Sequence, residues 1–253
     1  MTTNGTNGAT PPKFVFFTDF DGTVTLQDSN DYLTDNLGFG NPRRVALNKA
    51  VLAGTMTFRD SFAEMLDSVK LPFDACLASL LQNIQLDPHF AEFYAWCRRE
   101  GIPVIVLSGG MKPVIERLLV ELLGEEEMRG MEIVSNDVAP KDGKDINEED
   151  GWKIVFHDES EHGHDKSIEI RKYSSLPEGQ RPTMFYAGDG VSDLSAAKET
   201  DLLFAKQGKD LVLYCERENV PFVTFETFAS IHQTVKDVVE GRTTVQEAAR
   251  GRL

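Results

Sequence analysis

Two aspartates, Asp19 and Asp21, follow the first apolar run of the chain in the segment KFVFFTDFDGTVTLQDS. Side chains alternate across a β-strand, so residues two positions apart point to the same face. Two carboxyl groups placed in this way can divide the work of phosphoryl transfer. One attacks phosphorus and forms an aspartyl-phosphate, while the other protonates the leaving alcohol and later takes a proton from water.

Three further segments carry polar groups suited to the same chemistry. Ser108 and Gly109 lie in LSGGM, Lys166 opens a helical stretch in GHDKS, and Asp189 and Asp193 lie in GDGVSD. A hydroxyl, backbone N–H groups and an ammonium bind the oxygens of a phosphoryl group. Clustered carboxylates repel one another by roughly 4 kcal/mol per pair at ~4 Å and an effective dielectric of about 20. A hard divalent cation relieves this repulsion, so the sequence predicts a Mg²⁺ site.

The elements that must position these groups alternate between strands and helices. Runs rich in Val, Ile and Phe predict strands at 13–17, 102–108, 131–135, 183–188, 202–206 and 221–225. Amphipathic stretches predict helices at 89–100, 111–123, 165–174, 191–199, 208–217 and 226–239. This alternation indicates an α/β fold, with a Rossmann-like, mostly parallel sheet and helices on both faces. Such sheets bind ligands at the carboxyl ends of their strands, where the polar segments lie.

One long interval between the first two predicted strands contains only helical patterns, at 30–37, 42–53, 58–69 and 73–83. A simple crossover rarely needs this length, so we predict an inserted helical cap over residues 27–87. The catalytic core would then comprise residues 13–26 and 88–253, preceded by a disordered tail over 1–12. The acidic segment 136–165 is predicted to contain a hairpin strand, GWKIVFHD, and an exposed turn, and its role is left open.

Composition restricts the environment and the ligands. The chain has 253 residues and a formal net charge of −15, so much of its surface repels nucleic acids and anionic membranes. No apolar run is long enough to cross a bilayer, and the first residues lack the apolar core of a secretory signal. The sequence therefore predicts a small-molecule ligand and a cytoplasmic location, with a nuclear one also open. It does not indicate an oligomeric state.

In order and spacing, DFDGT, LSGGM, GHDKS and GDGVSD resemble the four motifs of the haloacid dehalogenase superfamily. The helical interval between the first and second motifs resembles the phosphoserine-phosphatase-like branch. Within that branch the sequence is most similar to a group of fungal phosphatases associated with polyol phosphates, such as mannitol 1-phosphate and sorbitol 6-phosphate. The resemblance implies a Mg²⁺-dependent hydrolase of a small phosphate monoester, with a polyol phosphate as the expected substrate.

The resemblance also implies roles for the acidic motif residues. Asp19 would be the nucleophile and a metal ligand. Asp21 would be the general acid and base, and its backbone carbonyl would bind the metal. Asp189 would complete the set of metal ligands, and Asp193 would support the metal or orient Lys166.

Substrate binding is assigned to a second set of residues by the same resemblance. Ser108 and Gly109 would hold the phosphoryl oxygens, and Lys166 would bridge the phosphate and the nucleophile. Thr23 and Asp28 would be among the substrate-binding residues. Asp28 falls where the phosphoserine enzymes carry a Glu that meets the substrate's ammonium. A shorter acid at this position could instead accept hydrogen bonds from polyol hydroxyls.

Several alternatives stay open from the sequence. One is a phosphoserine phosphatase, although those enzymes usually carry Asn where this chain has Ser192. Another is a phosphatase of the bacterial methionine-salvage type, which shares a closely related pattern.

A phospho-accepting signalling module, which belongs to a different class, would keep Asp19 phosphorylated. Asp21 opposes that reading, because a second acid speeds hydrolysis of the acyl phosphate. A dehalogenase of the same fold would need neither a leaving-group acid nor a metal.

Three histidines, His157, His162 and His164, lie close together in the acidic segment. Their spacing raises the hypothesis of a zinc site, but no cysteine partners accompany them. A polar surface loop is the simpler prediction, with His164 helping to place Lys166.

Overall fold

The computed structural model describes residues 12–249. Its seven strands form one sheet, in which every neighbouring pair is parallel except the third and fourth strands of the chain. The predicted α/β fold with a mostly parallel sheet is therefore confirmed. The strands are β1 (Phe14–Thr18), β2 (Val104–Met111), β3 (Glu132–Pro140), β4 (Trp152–Val155), β5 (Thr183–Gly188), β6 (Leu202–Lys206) and β7 (Val223–Phe225), and their order in the sheet is β4-β3-β2-β1-β5-β6-β7.

Helices cover both faces of this sheet, and the first five of them lie between β1 and β2 in the chain. They are α1 (Ser29–Leu37), α2 (Asn41–Leu52), α3 (Phe58–Asp67), α4 (Phe73–Asn83), α5 (Phe90–Glu100), α6 (Lys112–Leu123), α7 (Glu125–Met128), α8 (Lys166–Ser174), α9 (Asp210–Glu218), α10 (Phe228–Val239) and α11 (Val245–Ala249).

The central strand β1 is buried on both faces, as expected when helices cover both sides of a parallel sheet. Phe16 and Phe17 are fully buried and point to opposite faces because side chains alternate along a strand. Phe16 packs edge-on against Phe93 of α5, with ring centroids 4.7 Å apart. On the other face, Phe17 packs against Tyr173 of α8 at 5.4 Å. These two layers fix the end of β1 in space.

Most predicted elements occur in the structure with shifts of a few residues at their ends. The helix predicted over 191–199 is wrong, because only a short 3-10 helix, Val191–Asp193, forms there and turns follow it. The Asp193 side chain shapes the start of this segment, because one of its oxygens accepts from the backbone N–H groups of Asp189 and Gly190. These bonds fold the chain around the carboxylate just before the predicted helix, and the segment continues as turns.

The interval between β1 and β2 contains α1–α5 and, within residues 12–249, no strand. The observed bounds of α1–α4 agree closely with the four predicted helical stretches. The division of the chain into a cap over 27–87 and a core stays a prediction. Most of the predicted tail, residues 1–11, lies outside the described residues.

The acidic segment 136–165 contains a hairpin, since β3 and β4 pair antiparallel as predicted. Its connecting loop is attached to the inserted helices. Lys141 Nζ lies 2.5 Å from a carboxylate oxygen of Asp67 at the end of α3, and Lys70 Nζ lies 3.0 Å from Asp150. The segment therefore joins the sheet to the inserted helices.

No helix within residues 12–249 is both long enough and apolar enough to span a membrane.

The packing around β1 gives a stability prediction. Phe16→Ala removes a fully buried ring that contacts Phe93 and Phe228. We expect it to lower the free energy of unfolding by about 3–5 kcal/mol, through lost burial and a residual cavity. Urea denaturation measures this loss. Phe39→Ala, at a half-buried ring, is the matched control, and an equal loss in both variants would contradict the assigned packing.

Candidate active site

The carboxyl ends of three neighbouring strands meet at one edge of the sheet and carry the predicted motif residues. Asp19 directly follows β1, and its backbone N–H donates to the carbonyl of Ala187 on β5 at 2.8 Å. Ser108 lies on β2, and Asp189 follows β5. A cavity of about 290 Å³ opens at this edge. The sheet side of the cavity is lined by Asp19, Asp21, Ser108, Gly109, Gly110, Asp189, Gly190 and Ser192.

Lys166 is the first residue of α8, and its side chain is completely buried beside these strand ends. Its Nζ lies 2.7 Å from Asp19 Oδ1 and 2.6 Å from Asp193 Oδ1. The hydroxyl of Tyr186 is 3.2 Å from the same nitrogen, and that of Ser192 is 3.5 Å away. Burial lowers the pKa of Lys166, but the two carboxylates outweigh it and raise the pKa above its ordinary value. The lysine is therefore a fixed cation.

Asp193 is fully occupied by hydrogen bonds to the protein. Its Oδ1 accepts from Lys166 and from the hydroxyl of Tyr186. Its Oδ2 accepts from the backbone N–H groups of Asp189 and Gly190 at 2.8 and 2.9 Å. Because both oxygens are taken, this carboxylate positions its neighbours.

Asp19, Asp189 and Asp193 form the one group of three side chains in the described chain whose oxygens are close enough to share a metal ion, within 4.8 Å of one another. Burial is the main cause that raises the pKa of Asp19 to about 7. Burial and the charge of Asp19 raise the pKa of Asp189 well above its ordinary value. Within residues 12–249, Lys166 is the one buried ammonium beside these three carboxyl groups, and the excess of negative charge fits a divalent cation. With Asp193 engaged elsewhere, Asp19 and Asp189 supply the available carboxylate oxygens.

Asp21 is held by the beginning of α1. Its Oδ1 accepts from the backbone N–H of Ser29 at 2.7 Å, and its Oδ2 accepts from Asn30 Nδ2 at 2.9 Å. Burial, followed by the charge of Asp28, raises the pKa of Asp21 well above its ordinary value. The carboxyl group is thus oriented and retains a proton more readily than an exposed aspartate. Ser29 and Asn30 were not predicted from the sequence, although the predicted start of a helix at this point was a signal for them.

The backbone of the Ser108 loop, the irregular end of β2 from Ser108 to Gly110, is held by two side chains. His164 Nδ1 lies 2.9 Å from the carbonyl oxygen of Ser108, and Asn136 Nδ2 donates to the carbonyl of Gly109 at 2.7 Å. In a trans peptide the carbonyl and the following N–H point in opposite directions. Fixing these carbonyls therefore also fixes the N–H groups of Gly109 and Gly110. The Gly110 N–H donates to Ser108 Oγ at 2.9 Å.

The histidine predictions need correction. His164 is buried and does not lie on the surface. Its Nδ1 is hydrogen-bonded to the carbonyl oxygen of Ser108, whereas the prediction was that it helps to place Lys166. Its ring packs against that of His157, with centroids 4.6 Å apart. Burial lowers the pKa of His164 to about 4, so the ring is neutral. In the described part of the chain the histidines belong to no group of three potential metal ligands.

Of the two other predicted substrate-binding residues, Asp28 and Thr23, the first lines the cavity and the second does not. Asp28 lines the cavity and caps α1, where its Oδ1 accepts from the backbone N–H groups of Asn30 and Asp31 at 2.8 and 2.9 Å. Thr23 is fully buried in the turn after β1 and does not line the cavity. Its backbone N–H donates to the carbonyl of Phe20, which turns the residue away from the strand edge.

Helices α1, α2 and α3 complete the cavity. Phe58, Phe62 and Met65 of α3 supply an apolar surface, and the two phenyl rings stack with centroids 5.4 Å apart. Asp31 of α1 and Arg44 of α2 add a polar patch that the sequence analysis did not identify. The cavity is therefore closed by charged residues at the sheet edge and by a mixed apolar and polar surface from the inserted helices.

Comparisons with known proteins agree with this fold. A model of the haloacid dehalogenase-like hydrolase family matches residues 16–198. Pdp3-interacting factor 1 of Schizosaccharomyces pombe is 56% identical over 220 residues, which cover 87% of this chain and 93% of that protein. Polyol phosphate phosphatase PYP1 of Saccharomyces cerevisiae is 53% identical over 241 residues, which cover 93% of this chain and 98% of that protein.

A solved structure also matches. A substrate-bound phosphoserine phosphatase complex superposes with a TM-score of 0.63 at 18% identity, covering 91% of this chain and 98% of that one, and this likeness supports the fold alone. Taken with the family model and the two relatives, the chain belongs to the haloacid dehalogenase-like hydrolase family. The predicted family is confirmed.

The turn after β1 gives a prediction about the metal site. Gly22 has a φ of +76°, and a Cβ at this position would overlap Asp189 Oδ2. We expect Gly22→Ala to displace this carboxylate and lower the affinity for Mg²⁺ by ~10-fold or more, as for other supports of metal ligands. Isothermal titration calorimetry measures the change. Gly54→Ala is the matched control, because Gly54 has a φ of +69° and nothing within 4 Å of its Cβ position. Equal affinities in the two variants would contradict the assignment of Asp189 as a ligand.

Proposed function

We propose that this protein is a Mg²⁺-dependent phosphatase that hydrolyses a small phosphate monoester of a polyol through an aspartyl-phosphate on Asp19. The observation that carries the proposal is the Asp19 carboxylate, held 2.7 Å from the buried ammonium of Lys166 at the floor of a cavity. The 53% identity with a polyol phosphate phosphatase supports both the predicted phosphatase activity and the substrate class.

Asp19 is the nucleophile in this proposal. Lys166 occupies its Oδ1 and fixes the plane of the carboxylate before the substrate binds. A carboxylate oxygen attacks phosphorus, and the bond from phosphorus to the alcohol oxygen breaks. Lys166, the hydroxyl of Ser108 and the N–H of Gly109 bind the phosphoryl oxygens, whose charge increases during the transfer. The support of this loop by His164 and Asn136 keeps these donors in place.

Asp21 transfers the protons. Its carboxyl group lies two residues after Asp19 and is oriented by Ser29 and Asn30. It protonates the departing alcohol oxygen and, in the second half of the reaction, takes a proton from water. That water attacks the aspartyl-phosphate, inorganic phosphate leaves and Asp19 is regenerated.

The metal ion would be held by the carboxylates of Asp19 and Asp189 and by the backbone carbonyl of Asp21. When bound, Mg²⁺ supplies positive charge that neutralises the nucleophile and the phosphoryl oxygens. Asp193 binds the backbone N–H groups of Asp189 and Gly190 and the ammonium of Lys166. It therefore fixes the position of Asp189, the second metal ligand, relative to Lys166. The helices α1–α3 cover the site and reduce access of water to it.

Removing the nucleophile or the metal ion tests the proposal. We expect Asp19→Asn to lower kcat at least ~10³-fold, because the amide is a poor nucleophile and binds the cation weakly. EDTA should abolish activity of the wild type, and added Mg²⁺ should restore it. Phosphate release from a panel of phosphate monoesters measures both effects. Asp74→Asn, on the exposed surface of α4, is the matched control. Hydrolysis that survives both treatments would refute the proposed mechanism.

A second variant separates the two acids. Asp21→Asn cannot deprotonate the attacking water, so we expect kcat to fall by ~10²- to 10⁴-fold. Phosphoenzyme should accumulate in this variant, and mass spectrometry of acid-quenched protein would detect it on Asp19. Long-lived phosphorylation of the wild type would instead favour a phospho-accepting signalling module. Because Asp21 also protonates the departing alcohol, the substrate in this assay is p-nitrophenyl phosphate, whose leaving group needs no acid. Absence of phosphoenzyme from a slow Asp21→Asn variant with this substrate would contradict covalent catalysis.

A further inference from the structure

Arg44 is a largely buried cation at the cavity to which no motif assigns a role. Its side chain is 12% exposed and lines the cavity together with Asp31. Its Nε and Nη2 donate to the two carboxylate oxygens of Asp35 at 2.7 and 2.8 Å. A bidentate pair of this kind fixes the plane of the guanidinium. The same hydrogen bonds lower the pKa of Asp35 and raise the pKa of Arg44, so both groups stay charged.

The remaining part of the guanidinium faces a second carboxyl group. Nη1 of Arg44 lies 2.6 Å from Asp31 Oδ2. A guanidinium has five N–H groups, of which the bonds to Asp35 use two and the contact with Asp31 one more, and a carboxyl group accepts several hydrogen bonds. The pair of Arg44 and Asp31 therefore offers donors and acceptors side by side. A hydroxyl group both donates and accepts, so it matches this pair better than a group that can do only one.

The charge of this side of the cavity is negative. Asp28 and Asp31 both line it beside Arg44, whose Nε and Nη2 are already paired with Asp35. Burial and the charge of Asp28 raise the pKa of Asp31 to about 8, although Arg44 acts in the opposite direction. A second anionic group on the substrate would meet the same negative potential and be repelled. Uncharged hydroxyl groups would not.

Lys209, on the loop that precedes α9, also lines the cavity. Its Nζ lies 3.5 Å from Asp189 Oδ2, and its charge also acts to lower the pKa of Asp31. Arg44 is the cation that directly contacts the carboxyl groups of the inserted helices. The rings of Phe58 and Phe62 line the same region and offer a surface for a carbon chain.

We propose that Arg44 and Asp31 form a subsite that binds hydroxyl groups on the alcohol part of the ester and disfavours a second anionic group there. This inference rests on the proposed phosphatase function and specifies its substrate class. Neutral, polyhydroxylated phosphate esters are the preferred substrates, and phosphorylated carboxylic acids are poor ones.

Kinetics with two substrates separate recognition of the alcohol from chemistry at phosphorus. Sorbitol 6-phosphate carries the hydroxyl groups, and p-nitrophenyl phosphate lacks them. We expect Arg44→Ala to lower kcat/KM for sorbitol 6-phosphate by ~10- to 100-fold, the loss typical of hydrogen bonds to a charged group. For p-nitrophenyl phosphate the value should stay within ~3-fold of the wild type, because the groups at phosphorus are intact.

The neighbouring arginine is the matched control. Arg43 has a side chain that is 63% exposed, pairs with Glu64 and does not line the cavity. Arg43→Ala should leave both substrates unaffected. Because Arg44→Ala also removes the link between α1 and α2, thermal unfolding of each variant is compared with that of the wild type.

Asp31→Asn provides a second, nearly isosteric variant, assayed from pH 7 to 9 because burial raises the pKa of Asp31 to about 8. It should reduce the preference of the enzyme for sorbitol 6-phosphate over 3-phosphoglycerate, which carries a carboxylate. An unchanged preference would contradict the role of Asp31.

Three results would overturn the inference while leaving the phosphatase function intact. Arg44→Ala could reduce activity on both substrates equally, or the wild type could hydrolyse 3-phosphoglycerate as well as sorbitol 6-phosphate. Preferred hydrolysis of phosphoethanolamine would show that the carboxyl groups select a cation. Failure of the wild type to hydrolyse any ester, including p-nitrophenyl phosphate, would refute the proposed function and this inference together.

Discussion

The ammonium of Lys166 lies at the edge of the sheet with none of its side chain exposed. Moving one ion from water into a protein interior costs several kcal/mol even after relaxation, so the arrangement requires partners with good geometry. Asp19 and Asp193 provide them on two sides, at 2.7 and 2.6 Å. This requirement ties the end of β1, the start of α8 and the loop after β5 to a single point. Asp19 consequently has its orientation before any ligand arrives, which is the preorganisation that phosphoryl transfer needs.

The rest of the site extends this network through backbone groups. Asp193, itself bound to Lys166, accepts hydrogen bonds from the N–H groups of Asp189 and Gly190 and so fixes the backbone of the loop after β5. On the opposite side of β1, His164 and Asn136 do the same for the Ser108 loop by binding its carbonyl groups. Each loop alone would be free to adopt other conformations. Local bonds to Asp193 restrict the loop after β5, and bonds from distant parts of the chain restrict the segment around Ser108.

The parts of the molecule that the sequence predicts are those set by local pattern. Apolar strands ending in acidic or glycine-rich turns located Asp19, Ser108 and Asp189 at one edge of a parallel sheet, because chain direction alone determines that edge. The pattern failed over 191–199, where the chain turns around the Asp193 carboxylate and forms only a short 3-10 helix. It also missed Asn136 and Arg44, since their roles depend on contacts with other elements, and the sequence around them reads as ordinary strand and helix.

The attachment of the hairpin to the inserted helices has a spectroscopic consequence. The chain has two tryptophans. Trp152 on β4 donates its indole N–H to the carbonyl of Leu71 at 2.9 Å and packs against Phe73, so it lies at the junction between hairpin and inserted helices. Trp96 packs in the core beside His232. The two indoles thus occupy separate environments, and the fluorescence of variants that retain one of them distinguishes loosening of the junction from melting of the core.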